Sequence, residues 1–420
     1  MEVGRILAAL PREQPVAVGL DGSRAVVACG AEEIVSVNGA DAFDRLDRLG
    51  PGWWAGFLAY DLGRSVEGVR PRAPSTVRGH FEESLLPDMH FIRFEAYVEI
   101  DRRTGAARVF GRGPARRSLE AALDSDAPPP PSPGLGPWRS SLDRSEFEAG
   151  VLTIVEHIEA GDCYQVNLTR RLTCDRAADP VALWCALETG NPAPHASFLR
   201  TGTGTGDGGL DLAVVSASPE RFLRVDGRRV ETRPIKGTDV SPARLRASAK
   251  DRAENVMIVD LARNDLGRVC EPGSVDVPGM CELEPHPGLV HLVSTVNGTL
   301  RPDVGLGDLL RATFPPASIT GAPKPRVMQE IEDLEPVARG VYCGAVGWID
   351  TVADRADLAV AIRTFTITPD STQLGVGGGI TADSDPAAEW HETELKAARL
   401  LTVASAGSQA RPEPISVARP

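Results

Sequence analysis

Short apolar runs punctuated by glycine and proline fill the first 124 residues, at 15–19, 25–29, 53–60, 91–100 and 107–110. Each has the length and side-chain content of a strand, which predicts a β-rich N-terminal lobe over 1–124. Residues 125–138 break the pattern. Four consecutive prolines from Pro128, then Pro133, Gly134 and Gly136, can continue neither a helix nor a central strand, so this stretch is predicted to be a linker. From 139 to 404 the hydrophobic period alternates. Phe147, Val151, Ile154, Val155 and Ile158 recur at helical spacing and Gly161 supplies a stop, which predicts a helix over 145–161. Strands are predicted at 164–172, 212–216, 221–225 and around Lys236, then at 290–295, 341–350, 358–367 and 373–376. Residues 242–265 read as one long helix of strong helix formers and 387–403 as another. A Gly/Thr run over 201–209 predicts a hairpin tip, and 405–420, with three prolines and no apolar period, predicts a disordered tail.

Composition narrows the class. With 420 residues and 42% hydrophobic content the chain has enough apolar material for a substantial core. Its 58 acidic against 45 basic residues leave a net charge of −13, which excludes a global field that gathers nucleic acid or anionic lipid. An anionic substrate must therefore meet cations placed locally. No stretch approaches the roughly 20 apolar residues of a membrane span, and Met1-Glu2-Val3-Gly4-Arg5 does not open a secretory signal. A cytoplasmic protein is expected. The seven cysteines form no CxxC pair and the seven histidines no HExxH, so reduced thiols are expected and a zinc site is not.

Lys236 carries the most information. It lies in Thr232-Arg233-Pro234-Ile235-Lys236-Gly237-Thr238, after an apolar step and before a glycine that permits close backbone approach to a ligand. Desolvation there lowers the pKa and frees the amine for nucleophilic attack; the alternative is a strand-end lysine paired with an acid. Glu220, between Pro219 and an apolar strand, is placed to have the raised pKa of a general acid or to pair with Arg221. Asp251 with Glu254 and Glu389 with Glu392 stand at i, i+3 on predicted helices, which puts each pair on one face. Four such carboxylates suit Mg²⁺, or else two solvated faces. Gly377-Gly378-Gly379, followed by a polar segment that leads into a helix, offers exposed amides able to hold an anion, or else is a flexible turn. Arg363, read as an inward strand residue, with Lys396, Tyr342 and the Ser318–Pro323 loop, adds cations and donors.

These strings, with Gly161 to Leu168, 251–269, 339–347 and 377–385, resemble in order the chorismate-utilising enzymes, and within them the aminodeoxychorismate synthase branch. Weaker likeness reaches back to Ala55-Gly56-Phe57-Leu58-Ala59-Tyr60-Asp61-Leu62-Gly63-Arg64. The resemblance implies an α/β (α+β) fold like that of anthranilate synthase component I, with two β-sheets packed between outer helices in one catalytic body. It implies chorismate as substrate, Mg²⁺ as cofactor and ammonia as nucleophile for 4-amino-4-deoxychorismate, a precursor for folate or secondary metabolism. Glu254 and Glu392 are then metal ligands, with Asp251 and Glu389 acting through water. Arg363, Tyr342, Lys396 and the amides of Gly377 and Gly379 hold substrate carboxylates. Gly237, Thr238 and His291 line the ring pocket, and Thr320 belongs to a substrate-contacting loop. Glu220 protonates the departing C4 hydroxyl while Lys236 adds at C2.

Anthranilate synthase component I is the runner-up within this resemblance; its members usually carry alanine where Lys236 stands and Asn-Pro-Ser-Pro where this chain has Asn191-Pro192-Ala193-Pro194. Isochorismate and salicylate synthases place a lysine base where Gln165 stands. A regulatory chorismate-binding subunit is the non-enzyme alternative, disfavoured by the presence of every acid and of Lys236. Pro316-Ala317 replaces the two glycines common before the Ser-Ile-Thr-Gly string, which implies a stiffer loop. No Gly-x-Cys-x-Gly turn surrounds any cysteine, so ammonia is expected from a separate glutamine amidotransferase subunit (component II).

Overall fold

In the computed structural model, residues 3–71, 86–128, 130–202, 210–286, 289–405 and 416–417 are described. Most of the predicted hairpin tip (203–209), Pro129 of the linker, and 406–415 and 418–420 of the tail lie outside them.

The architecture is two β-layers with helices on the outside, as the resemblance implied. Alternation along the strands sorts the faces. In Trp53–Leu58, Trp53, Ala55 and Phe57 pack between the layers with Ala17, Val26, Ile92, Val214, Val346 and Ala359. Trp54 and Leu58 face the opposite way, into a core shared with Phe147, Val259, Leu310 and Met328 of four outer helices. A third core sits beneath the helices Val3–Ala9, Gly113–Leu123, Pro180–Gly190 and Pro386–Ser405.

Hydrogen bonding joins the two layers into one sheet. The 13-residue strand Met89–Asp101 pairs with Arg24–Val37 on one side and with Trp53–Leu58 on the other. From the first partner the pairing runs through Val16–Asp21, His195–Arg200, Ala213–Ser218, Thr364–Ile367 and Thr372–Ile380 to Gln165–Cys174. From the second it runs through Ala345–Asp350, Arg355–Val360, Arg221–Asp226, Arg229–Arg233 and Leu289–Thr299 to Ile235–Asp239, the lysine strand. Strands from the first 124 residues thus pair directly with strands on either side of residue 300. The Pro-rich stretch lies against the last helix, with Leu135 N–H donating to Ala404 O and Ser405 Oγ to Leu135 O.

Several elements differ from the sequence reading. The long helix expected over 242–265 is two, Pro242–Ala247 and Ala249–Gly267, because Ser248 turns extended and its hydroxyl caps the Asp251 amide. The strand expected from 341 starts at Ala345, and the one expected over 358–367 is interrupted at 361–363. Short helices at Asp41–Leu46, Gly113–Leu123 and Leu306–Thr313 were not anticipated. The helix Arg144–Glu159 appears where helical spacing placed it, opened by a reciprocal capping box between Asp143 and Glu146.

Candidate functional site

The two ends of the sheet meet at Gly377–Gly379. These glycines are not the flexible turn of the alternative reading; they lie inside the strand Thr372–Ile380, held there by pairing with Gln165–Cys174. The register turns two of their amides away from that partner. Opposite Gly379, Asn167 sends its N–H to Thr320 O (2.8 Å) and takes Arg339 Nη2 on its own carbonyl (2.6 Å). Opposite Gly377, Thr169 sends its N–H to Glu335 Oε1 (2.8 Å). Both are therefore non-hydrogen-bonded pairs, and Gly377 and Gly379 turn their amides away from that neighbour. The Thr364–Ile367 strand on the other edge stops pairing at Leu374, so among the described residues no strand covers those amides.

The lysine strand reaches this edge from the opposite end of the sheet. Lys236 Nζ is 3.5 Å from the point a Cβ on Gly379 would occupy, and the Gln165 carboxamide fills that same point. Half-buried by area, Lys236 sits among enough protein for burial to lower its pKa; Glu254 and Glu220 oppose that shift and Lys396 reinforces it. It makes no ion pair within 4 Å among the described residues. Gly237 has φ +91°, and a Cβ there would lie 2.9 Å from both Asp251 Cβ and Leu245 Cδ1, so the helix Ala249–Gly267 packs directly on the lysine strand.

Glu220 is 4% exposed, just before the strand Arg221–Asp226. Burial raises its pKa to about 7, against the pull of Ser318, Lys236 and the Ile235 amide. Ser318 faces Glu220, yet its buried Oγ has no partner in good hydrogen-bond geometry among the described residues. The buried Gln165 Oε1 is likewise unpartnered among them. Buried polar atoms of this kind are places where a ligand can complete the hydrogen bonding.

The acidic pairs flank the glycine edge. Glu389 Oε2 and Glu392 Oε1 are 3.2 and 3.8 Å from the Cβ position of Gly378, with Lys396 Nζ at 3.9 Å. Lys396 bridges Glu392 Oε1 (2.7 Å) and Gly377 O (2.9 Å), and Glu389 Oε1 accepts from Ser384 Oγ (2.6 Å). Burial raises the Glu254 carboxyl, with Asp251 and Glu392 adding to it against Lys236 and Lys250. Burial also raises Glu389, whereas for Glu392 the cations Lys396, Lys250 and Lys236 outweigh burial and hold it below the usual range. Among the described residues no three His, Cys, Asp or Glu side chains stand as a preformed ligand set. The donor chemistry suits a hard divalent cation all the same, because mutually repelling carboxylates are gathered from two helices.

A second wall carries imidazole and guanidinium groups. His291 is buried, its Nδ1 meets Thr238 Oγ1 at 2.7 Å, and burial, Arg363 and His286 hold its pKa down to about 3, so it is neutral. Arg363 is not within a strand; it occupies the 361–363 interruption with φ +50°, a strained setting for a residue with a Cβ. The Tyr342 ring covers Gly375, two residues before Gly377 in the same strand. The Thr320 hydroxyl donates within its own turn, to Pro316 O at 3.1 Å.

Sequence reasoning named Gln165 only for what other enzymes put there, and missed Arg399 altogether. The available signal for Arg399 was its spacing of three from Lys396 on one helix.

A family model described as chorismate binding enzyme matches residues 16–402. The aminodeoxychorismate synthase component 1 of Klebsiella aerogenes is 38% identical over 82% of this chain and 76% of its own length. The anthranilate synthase component 1 of Streptomyces coelicolor is 37% identical over 83% of this chain and 71% of its own. Among solved structures, anthranilate synthase component I from Streptococcus pneumoniae superposes with a TM-score of 0.76 at 28% identity, covering 91% of this chain and 92% of that one.

Proposed function

The chain belongs to the chorismate binding enzymes, and from that membership we propose that it converts chorismate and ammonia to 4-amino-4-deoxychorismate, as the name of its Klebsiella relative indicates. One observation carries the choice of reaction: Lys236, with no ion pair within 4 Å among the described residues and with its pKa lowered by burial, stands between Glu220 and the open amides of the glycine strand.

The amine is a nucleophile in that setting. Lys236 adds to ring carbon C2 while Glu220 delivers its proton to the C4 hydroxyl, which departs as water as the ring double bond shifts. Ammonia then bonds to C4, the double bond returns, and the lysine leaves as the ammonium nitrogen gives up a proton. Gly377 and Gly379 amides, with Lys396 and Arg363, hold the substrate's carboxylates. Neutral His291 and Thr238 shape the ring pocket without adding charge. Gln165 offers an amide where a basic side chain would activate water.

Mg²⁺ fits the four carboxylates, with Glu254 and Glu392 as direct ligands and Asp251 and Glu389 through water. It would supply positive charge for a substrate carboxylate and for Glu254 and Glu389, which burial first and neighbouring carboxylates second hold above the usual range. A separate glutamine amidotransferase subunit supplies ammonia in this reading.

The test is product analysis by mass spectrometry after incubation with chorismate, Mg²⁺ and an ammonium salt. Aminodeoxychorismate supports the proposal; anthranilate as the main product sinks it. Lys236→Ala should abolish the aminated product, and undiminished turnover in that variant removes the covalent role.

A further inference from the structure

A small open cavity that shares His291 and Arg363 borders this site. Pro219, next to Glu220, and His291, bonded to Thr238, form its inner wall, and Asn191 to Pro194 form another. Its lining contains two guanidiniums, Arg363 and Arg399, and no carboxylate. Neither arginine makes an ion pair within 4 Å among the described residues. Arg363 lies deeper, with its pKa lowered by burial and then by the charge of Arg399. Arg399 is exposed, three residues beyond Lys396 on the helix Pro386–Ser405, and its Nε donates to Gly190 O at 2.9 Å, at the C-terminal end of the helix Pro180–Gly190. That bond fixes the guanidinium at the cavity mouth and leaves its terminal nitrogens unused.

Two like charges facing one cavity without a counter-charge repel each other, and an anion between them reverses the sign of that interaction. The two histidines of the lining do not fill this need, since His291 is held neutral and His286 pairs with Glu284 at 3.1 Å. We propose that Arg399 is a substrate-binding residue that, with Arg363, clamps one carboxylate of the dicarboxylate substrate at the mouth of the cavity. This rests on the reaction proposed above and adds a second guanidinium to it. Because Arg399 is exposed and Arg363 enclosed, Arg399 meets the incoming anion first, so its contribution should weaken with ionic strength.

The experiment compares wild type, Arg399→Ala and Arg399→Lys in ammonia-dependent turnover, and in calorimetric binding of chorismate with Mg²⁺ and no ammonia. Arg399→Ala should raise KM and the binding constant by about tenfold, the scale of one hydrogen bond to a charged group. Turnover at saturation should stay within about threefold, the defect should shrink in high salt, and Arg399→Lys should recover part of it. Unchanged KM with a lowered melting temperature would mean that Arg399 only tethers the helix end, and overturns the proposal. A wild-type chain that binds chorismate but forms no aminated product defeats the reaction, while the isotherms still decide the role of Arg399. Equal isotherms for wild type and Arg399→Ala defeat the clamp.

Discussion

Replacing Glu220 by glutamine removes the one buried carboxyl facing Lys236 from the opposite wall, and the structure sets the size of the effect. Burial moves this carboxyl from 4.5 to about 7. At about 1.4 kcal/mol per pH unit, the protein favours the neutral acid by about 3 kcal/mol relative to water. At neutral pH a substantial fraction is therefore protonated and able to donate to a leaving hydroxyl. The rate of amination, measured at constant free ammonia, should fall as pH rises above about 7 as this proton is lost. Glu220→Gln should lower the rate by about 10²- to 10⁴-fold, the usual range for a positioned acid, and should erase that falling limb. Stability provides an independent reading. The folded-state pKa lies above the unfolded one, so the native state binds the extra proton; the favourable contribution is complete below 4.5 and is lost as pH rises to about 7. Melting temperatures of wild type relative to Glu220→Gln should thus decline between pH 5 and pH 8. A variant with near-normal turnover, or a melting difference that ignores pH, refutes the assignment of Glu220 as a buried acid.

Two further outcomes follow from the geometry. Glu254→Gln should raise the Mg²⁺ concentration needed for half-maximal activity by at least about tenfold, the scale of one charged ligand contact, read by titrating the metal at fixed chorismate; an unchanged requirement would place the metal elsewhere. Gly237→Ala should lower stability by about 1–3 kcal/mol in urea melts, because φ is +91° and the new Cβ would press on Asp251 and Leu245; a neutral effect would mean that helix and lysine strand separate easily.

Local chemistry announced part of this site. The i, i+3 acids, the apolar step before Lys236 and the capping pair at Asp143 and Glu146 act over a few residues, so their patterns survive in the sequence. The glycine triplet left turn and strand open because three residues without Cβ favour a turn in isolation, whereas pairing with a strand about two hundred residues earlier keeps them extended. The break at Ser248 had a legible signal, a serine three residues before Asp251, but the strong helix formers around it masked the cap. Arg363 could not be placed from sequence, since its backbone angle is imposed by surrounding structure, including the bond from Ala217 N–H to its carbonyl. Arg399 offered only its spacing from Lys396, because its significance comes from having no ion pair within 4 Å among the described residues, which only three dimensions reveal.

The meeting of the lysine strand with the glycine strand has a consequence for how the molecule assembles. Each is near the far end of its own arm of the sheet, so no hairpin or local unit brings them together. The seam closes only after both arms have zipped outward from Met89–Asp101, a route of high contact order that is expected to be slow. Catalytic competence then becomes an all-or-none report on completed folding. A chain nicked in either arm can retain much of its secondary structure and still possess no site at all.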